Sequence, residues 1–233
     1  MTVWDTAPRS GNDPSQPLVV GHRGGRGQGW PRENTIAAFE RARVQGARAV
    51  ELDVRTWDGR VIVLHDAPRA AADVPADAPT LAEALEWARE HDVAVNVEMK
   101  HDVPSRASLA RATVRAVRDG GADVLLSSFD PLLLAMAAAL APDIRRALLV
   151  HSRQRRWADL LQARVRPPAV TSLHLERTQT DPRVVRSALR RGLRLGVWTV
   201  NDPREAADLV ALGVATIITD QPGAMLEAIS PGR

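Results

Sequence analysis

A regular alternation of short β-like runs with helix-like segments constrains the fold most strongly; it begins at Leu18 and continues along the chain. Short apolar runs rich in Val, Leu and Ile favour buried strands, and the amphipathic segments between them favour helices. The predicted strands span residues 18–22, 49–54, 93–99, 123–128, 146–150, 170–175, 193–200 and 215–219. Eight such units predict an α/β fold of the TIM type, a closed (β/α)8 barrel, because each strand must be covered outside by a helix and inside by side chains. An open, doubly wound sheet is the alternative.

Helix end signals mark the segments between these strands. The predicted helices span residues 35–45, 81–91, 109–118, 131–141, 157–165, 183–191, 204–212 and 223–229. Asp130, Asp181 and Asp202 each precede a proline, which places a capping carboxylate before a proline in the first turn. Glycines follow several of the segments, as is typical of helix C-termini. The connections between strands are therefore expected to be helices.

A ninth β-like run, Val61 to His65, follows the second predicted strand after the short turn Trp57 to Arg60. Parallel strands need a long crossover connection, so this run must return antiparallel as a hairpin. Only Ala67 to Pro79 separates it from the next helix, so no sizeable inserted subdomain is expected. We predict a single barrel domain over residues 18–233, preceded by a flexible lead-in over residues 1–17, which are rich in Pro, Ser, Asp and Gly.

Composition excludes several classes of function. The chain contains no Cys, which rules out disulfides, thiolate catalysis and zinc–cysteine sites and fits a cytoplasmic setting. No apolar run is long enough to span a bilayer and no secretory leader is apparent, so we expect neither a membrane anchor nor export. The 31 basic residues are offset by 28 acidic ones, and the two signs are interspersed. Nucleic acid is therefore not an expected partner.

Acidic side chains face the predicted barrel interior from two neighbouring strands. Glu51 and Asp53 are two residues apart, so the period of a strand places both side chains on one face. Like charges are costly to bury side by side, so this pair indicates a metal site, a carboxylate dyad that shares a proton, or an edge strand in water. Glu98 and Lys100 repeat the spacing on the next strand. With Glu98 included, the three carboxylates favour one hard divalent cation, Mg²⁺ or Ca²⁺, over zinc.

Further candidate residues lie at the C-terminal strand ends, where barrel enzymes carry their active sites. His22 and His65 are candidates for general acid and base, because imidazole titrates near neutral pH; a capping or core histidine is the alternative for each. Arg23 and Lys100 would supply positive charge for an anionic substrate such as a phosphate ester. Lys100 is the only Lys among the 31 basic residues, which indicates a need for a compact ammonium unless it is accidental.

Together these residues resemble the glycerophosphodiester phosphodiesterase family. The matching motifs, in the family's order, are His22-Arg23-Gly24, Glu33-Asn34-Thr35, Glu51-Leu52-Asp53-Val54, Asp58-Gly59, His65-Asp66, Asn96-Val97-Glu98-Met99-Lys100, Ser127-Ser128-Phe129-Asp130, Val197-Trp198-Thr199-Val200-Asn201 and Thr219-Asp220-Gln221-Pro222. The resemblance implies a barrel enzyme that hydrolyses glycerophosphodiesters to an alcohol and glycerol 3-phosphate. By position it implies that Glu51, Asp53 and Glu98 bind a metal. It likewise implies His22 and His65 as the acid–base pair, and Arg23, Lys100 and Trp198 as substrate contacts.

The chain departs from the family pattern at three places. The loop over residues 25–30 is long and Gly-rich, and it is either a flexible connection or a source of substrate contacts from Arg26 or Trp30. Residues 67–79 replace the family's inserted subdomain, so a more open pocket with broader substrate choice is expected. The basic run over residues 153–156 is either a solvated helix start or a contact for an anionic head group.

Two other functions remain open at this point. The first is a lysophospholipid or other phosphodiesterase of the same superfamily, which an apolar pocket rim would favour. The second is a barrel that binds a phosphate ligand without turnover.

Overall fold

The strands form a closed barrel in the computed structural model, which describes residues 2–6, 17–152 and 170–229. The strands are β1 (Leu18–Gly21), β2 (Ala49–Trp57), β3 (Arg60–Val63), β4 (Ala94–Met99), β5 (Val124–Ser128), β6 (Arg145–Val150), β7 (Ser172–Glu176), β8 (Arg194–Trp198) and β9 (Thr216–Thr219). All except β3 pair in parallel, and β1 pairs with both β2 and β9, which closes the ring of eight. β3 pairs antiparallel with β2 outside the ring. The predicted barrel and its extra hairpin strand are confirmed.

Helices cover the outside of the barrel, apart from the short first helix, which lies at one end of it. Among the described residues they are α1 (Val3–Thr6), α2 (Ile36–Val44), α3 (Leu81–Glu90), α4 (Arg106–Gly120), α5 (Pro131–Leu140), α6 (Pro182–Leu189), α7 (Pro203–Ala211) and α8 (Pro222–Ile229). Within the same ranges, no helix combines the length and apolar character that a membrane crossing requires. The predicted helix over residues 157–165 and the basic run over residues 153–156 lie outside the described residues.

Side-chain caps set where these helices begin. The Thr80 hydroxyl accepts a hydrogen bond from the backbone N of Glu83, and the Glu83 carboxylate accepts one from the backbone N of Thr80 at 2.7 Å. This reciprocal capping box satisfies two backbone donors that the first turn leaves free. α4 begins at Arg106 rather than at the predicted Leu109, because the Ser105 hydroxyl accepts from the backbone and caps the helix earlier.

Side chains alternate between the two faces of each strand, so the barrel has one apolar cluster outside the ring and another inside it. Val50, Leu52 and Val54 of β2 belong to the large apolar layer between the sheet and the helices. Ala49 of the same strand belongs to a smaller cluster inside the ring. Because side chains alternate between the faces of a strand, Glu51 and Asp53 share the inner face with Ala49. The interior is thus apolar at the N-terminal end of the strands and polar at the C-terminal end.

The start of the chain packs beneath the barrel. Trp4 on α1 is only 4% exposed and joins the interior cluster with residues such as Leu18 and Val20. The backbone N of Val3 donates to Oδ2 of Asp123, immediately before β5, at 2.8 Å. Residues 2–6 of the predicted flexible lead-in therefore dock at the end of the barrel opposite the polar site, because the indole buries a large apolar area there. Residues 7–16 lie outside the described part.

Candidate active site

A cavity of about 250 Å³ lies at the C-terminal ends of the barrel strands. Its polar side is lined by His22, Arg23, Glu51, His65, Asn96, Glu98 and Lys100. Its more apolar side is lined by Phe129, Leu149, His151, Trp198 and Ile218. Seven of the eight residues that the sequence singles out share this cavity, and the eighth, Asp53, binds Lys100 and Arg23 directly behind it.

Three carboxylates converge in the polar side of the cavity. One oxygen atom each from Glu51, Asp53 and Glu98 lies within 4.8 Å of the other two. Strand register produces this cluster, because Asp53 of β2 stands beside Glu98 of β4 in the parallel pair. All three side chains are buried. The reading of Glu51 and Asp53 as solvated edge-strand residues is therefore wrong.

Two carboxylates of the cluster, Glu51 and Glu98, are not fully compensated by nearby positive charge. Burial, together with the charges of Asp53 and Glu98, raises the pKa of Glu51 well above its usual range. Burial and the Asp53 charge also raise the pKa of Glu98 to about 7, although Lys100 opposes them. Burial alone would raise the pKa of Asp53 too, but Lys100 and Arg23 outweigh it and bring this pKa to about 2. Glu51 and Glu98 are thus the carboxylates that a further cation would stabilise.

Lys100 bridges two of the carboxylates. Its Nζ atom lies 3.0 Å from Oδ1 of Asp53 and 2.8 Å from Oε1 of Glu98. Burial would lower the pKa of Lys100, but these two carboxylates raise it on balance. The ammonium therefore stays charged in a narrow, buried position, which agrees with the expectation that a compact cation is needed here.

Arg23 holds the same cluster from the other side. Its backbone N donates to Oε2 of Glu51 at 2.9 Å, and its Nε lies 3.1 Å from Oδ2 of Asp53. Its Nη1 atom lies 2.6 Å from Oε1 of Glu33. The turn that carries it requires Gly24, which has a φ of +86°, and a Cβ atom at Gly24 would lie 2.7 Å from the backbone of Ala38. The His-Arg-Gly sequence thus brings the turn close enough to α2 to orient Arg23.

Each candidate histidine has its Nδ1 atom beside a carboxylate. Nδ1 of His22 lies 2.8 Å from Oδ1 of Asp220, and Nδ1 of His65 lies 2.7 Å from Oδ1 of Asp66. Because a charged carboxylate only accepts hydrogen bonds, we assign the ring proton to Nδ1 in both, which leaves Nε2 for chemistry. Nε2 of His22 lies 4.0 Å from Oε2 of Glu51, at the edge of the carboxylate cluster. Burial lowers the pKa of His65, and the Asp53 charge opposes this only in part.

Sequence reasoning assigned no role to several residues of this site. Asp220 directly follows the last barrel strand and stands in one of the motifs, but no sequence pattern links it to His22, 198 positions away. Asn96 is 1% exposed, lines the cavity, and has both side-chain amide atoms without a hydrogen-bond partner among the described residues. Its position two residues before Glu98 was the available signal, because that spacing places it on the inner face. His151, which belongs to none of the sequence motifs, also lines the cavity.

The Gly-rich loop over residues 25–30 makes defined contacts. Arg26 pairs with Asp220, and the ring of Trp30 lies beneath the Arg41 guanidinium, whose Cζ atom is 4.8 Å from the ring centroid. Neither Arg26 nor Trp30 belongs to the cavity lining that the described residues form. Of the two alternatives for this loop, the one in which Arg26 or Trp30 contacts the substrate has no support in this lining. Residues 67–79 likewise contribute no side chain to that lining.

The donor set suits a hard divalent cation. Carboxylate oxygens are the ligands that Mg²⁺ and Ca²⁺ prefer, and Asn96 adds an unpaired amide oxygen at the same cavity. No Cys is available, and the acidic cluster that could bind an ion among the described residues contains no histidine, so zinc fits less well.

Comparison with known proteins agrees with this geometry. The sequence pattern of the glycerophosphoryl diester phosphodiesterase family matches residues 22–73 and 67–224. The chain belongs to this family. The glycerophosphodiester phosphodiesterase of Caldanaerobacter subterraneus subsp. tengcongensis is 28% identical over 246 residues, which cover 92% of this chain and 98% of that protein. The Bacillus subtilis protein YqiK is 30% identical over 245 residues, which cover 88% of this chain and 95% of that protein.

A solved structure extends the comparison to three dimensions. The Oleispira antarctica phosphodiesterase OLEI02445, in complex with the product sn-glycerol-3-phosphate, superposes with a TM-score of 0.78 and is 25% identical. The match covers 92% of this chain and 97% of that one. The resemblance predicted from the motifs is confirmed. The enzyme is a phosphoric diester hydrolase built on a TIM barrel.

Proposed function

We propose that the enzyme hydrolyses glycerophosphodiesters with one divalent cation, Mg²⁺ or Ca²⁺, at Glu51, Asp53 and Glu98, and with His22 and His65 as its acid–base pair. One observation carries the proposal: Glu51 and Glu98, two members of a buried cluster of three carboxylates, are short of positive charge and line the same cavity as both histidines. The products are an alcohol and glycerol 3-phosphate, the compound bound to the Oleispira antarctica relative. The absence of Cys keeps a cytoplasmic setting as our prediction.

Lys100 and Arg23 bind the phosphodiester group. An ammonium has three donors, and Asp53 and Glu98 use two of those on Lys100, so the third is available to a phosphoryl oxygen. The guanidinium of Arg23 is already oriented by Asp53 and Glu33 at the cavity wall. Fixed donors of this kind stabilise the charge that develops on phosphoryl oxygens in the transition state.

Trp198 forms the wall beside the organic part of the substrate. Its Nε1 donates to the carbonyl O of His174 at 3.0 Å, which fixes the indole plane. The Phe129 ring packs edge to face on it, with centroids 5.6 Å apart. The two rings together offer a rigid apolar surface to the glycerol or alcohol group.

The two histidines divide the proton transfers. When bound, the cation polarises the phosphoryl oxygens and offsets their charge. One imidazole accepts the proton of the attacking group, which is either water or the neighbouring glycerol hydroxyl; in the second case a cyclic glycerol phosphate forms first, and water then opens it to glycerol 3-phosphate. The other protonates the departing alkoxide. The Nδ1 hydrogen bonds to Asp220 and Asp66 hold each ring so that its Nε2 can accept or donate the transferred proton.

A lysophospholipid phosphodiesterase is the second candidate, and the apolar rim favours it. Phe129, Leu149, Trp198 and Ile218 line one side of the cavity. Such a surface accommodates a group more apolar than the head group of a glycerophosphodiester. The short connection over residues 67–79 adds nothing that would restrict this side.

Hydrolysis assays separate these functions. The substrates are glycerophosphocholine, lysophosphatidylcholine and bis(p-nitrophenyl) phosphate, each with Mg²⁺, Ca²⁺ or Mn²⁺ and again after chelation. We expect turnover that chelation abolishes and the cation restores, with the higher kcat/KM identifying the substrate class. Full activity in chelator would rule out the metal. Binding of glycerol 3-phosphate without turnover of any diester would support the binding barrel instead.

A further inference from the structure

The loop over residues 25–30 has a built shape. A Cβ atom at Gly25 would lie 2.6 Å from the Trp30 ring and 3.0 Å from the carbonyl O of Asp220, so only glycine allows this close packing. Nη1 of Arg41 donates to the carbonyl O of Gly29 at 2.6 Å and so anchors the far end. The loop is thereby pressed between α2 and the end of β9, which sets the position of Arg26.

Arg26 contacts Asp220 through both its backbone and its side chain. Its backbone N donates to the carbonyl O of Asp220 at 2.8 Å. Its Nε lies 3.0 Å from Oδ1 and its Nη2 lies 3.2 Å from Oδ2, so the guanidinium binds both carboxylate oxygens. Oδ1 is also the atom that accepts from Nδ1 of His22 at 2.8 Å. Arg26, Asp220 and His22 therefore form one continuous chain of hydrogen bonds.

We propose that Arg26 is a positioning residue that orients His22 through Asp220. The bidentate contact fixes the plane of the Asp220 carboxylate so that Oδ1 faces Nδ1 of His22. Asn201, whose Nδ2 donates to Oδ2 at 2.9 Å, supports the same plane from the other side. A carboxylate that is free to rotate would let the imidazole turn or change tautomer, and Nε2 would leave its reactive direction.

A competing path runs from Arg26 to the substrate-binding side. Nη1 of Arg26 lies 3.3 Å from Oε2 of Glu33, and Glu33 pairs with Arg23. Arg26 makes one backbone and two side-chain hydrogen bonds to Asp220, but only one longer contact to Glu33. The path to His22 is therefore favoured. The two paths predict different kinetics, since Arg23 binds substrate and His22 transfers a proton.

The kinetic test rests on the proposed function and uses the full chain with its divalent cation. We expect Arg26→Ala to lower kcat about 10-fold to 100-fold with little change in KM, less than the loss of a whole acid–base group. Arg26→Lys should restore part of the loss, since an ammonium cannot make both contacts, and added guanidinium chloride should partly rescue Arg26→Ala. Arg32→Ala is the matched control, because Arg32 pairs with Asp77 away from Asp220 and should keep wild-type kinetics.

Double mutants identify the path. Arg26→Ala should cause little further loss in an Asp220→Asn background and its full loss in a Glu33→Gln background. The reverse pattern, or a rise in KM with kcat unchanged, would overturn the proposal.

A nuclear magnetic resonance measurement tests the geometry independently of turnover. In ¹⁵N-histidine-labelled protein, long-range correlations show which ring nitrogen of His22 bears the proton, with His22→Gln providing the assignment. We expect the Nδ1–H form in the wild type and Arg32→Ala, and a mixture of tautomers in Arg26→Ala. An unchanged His22 signal in Arg26→Ala would overturn the proposal. If no diester is turned over, the proposed function fails, and this spectrum still decides the role of Arg26.

Discussion

Nζ of Lys100 lies 2.8 Å from Oε1 of Glu98, two residues earlier along the chain, and the same ammonium reaches Asp53 on the neighbouring strand. Lys100 is the only Lys in the chain, so no other lysine ammonium can pair with the acidic cluster. The buried pairing leads to the first prediction.

Two substitutions of Lys100 test its shape and its charge separately. Lys100→Arg should lose most of its activity, because a planar guanidinium does not fit where a compact ammonium bridges two carboxylates. Lys100→Met should also lower the free energy of unfolding of the metal-free protein by about 3–5 kcal/mol, since it leaves buried carboxylates without their partner. Steady-state kinetics and urea unfolding measure the two effects. Near-normal activity in Lys100→Arg would show that the lone lysine is accidental.

Divalent cations should stabilise the fold through the carboxylate cluster. We expect the Tm of the wild type to rise with added Ca²⁺ or Mg²⁺. At a free cation concentration of a hundred times Kd, the free energy of unfolding should increase by about 2.7 kcal/mol. Glu51→Gln and Glu98→Gln should remove this rise while leaving the metal-free protein as stable or more so, because each deletes a buried like charge. Glu86→Gln, at an exposed position of α3, is the matched control. Equal cation-dependent shifts in all variants would contradict a site at this cluster.

Leaving-group chemistry distinguishes the two histidines. His22→Ala and His65→Ala should each lower kcat for glycerophosphocholine by ~10²- to 10⁴-fold. With bis(p-nitrophenyl) phosphate, whose leaving group needs no protonation, removal of the general acid should cost far less than removal of the base. The histidine with the smaller loss on the nitrophenyl substrate is then the acid. A small loss on both substrates for either variant would indicate a capping histidine.

His174 should make the fold less stable in acid. Burial lowers its pKa from 6.5 to about 4, and its Nδ1 has no partner within the described part of the chain. The unfolded chain therefore binds a proton at a higher pH than the folded chain does, so this contribution is complete above about pH 6.5 and decreases as the pH falls toward 4. The expected difference is roughly 3 kcal/mol in the free energy of unfolding. In His174→Leu, the free energy of unfolding measured with urea should change less between pH 7 and pH 4 than in the wild type. An equal pH dependence in the two proteins would refute the effect.

The apolar rim should govern which alcohol or acyl group is accepted. Trp198→Ala removes the ring that packs edge to face on Phe129. We expect kcat/KM for lysophosphatidylcholine to fall more than kcat/KM for glycerophosphocholine, because the larger apolar group gains more from the indole surface. Leu132→Ala, at an exposed residue outside the cavity lining, serves as the control. An equal fall in kcat/KM on both substrates would indicate that Trp198 supports the fold of the site rather than binding the apolar group.

The geometry of the carboxylate cluster was largely predictable because it depends on local periodicity. Glu51 and Asp53 face inward by strand alternation, and adjacency of consecutive barrel strands places Glu98 beside them. Composition was a poorer guide to the lead-in, where residues 2–6 pack Trp4 beneath the barrel although their neighbours are typical of loops. A single indole that buries its ring outweighs the preference of the surrounding residues.

The sequence by itself determined the barrel, its hairpin and the inward direction of the carboxylates, because each follows from spacing along one strand or between successive strands. Only the tertiary structure decided that Asp220 contacts His22 and that Arg26 contacts Asp220. These contacts exist because β1 pairs with β9 and closes the ring, which joins residues from the two ends of the barrel domain. No periodic pattern encodes a contact across 198 positions; closure of the barrel creates it.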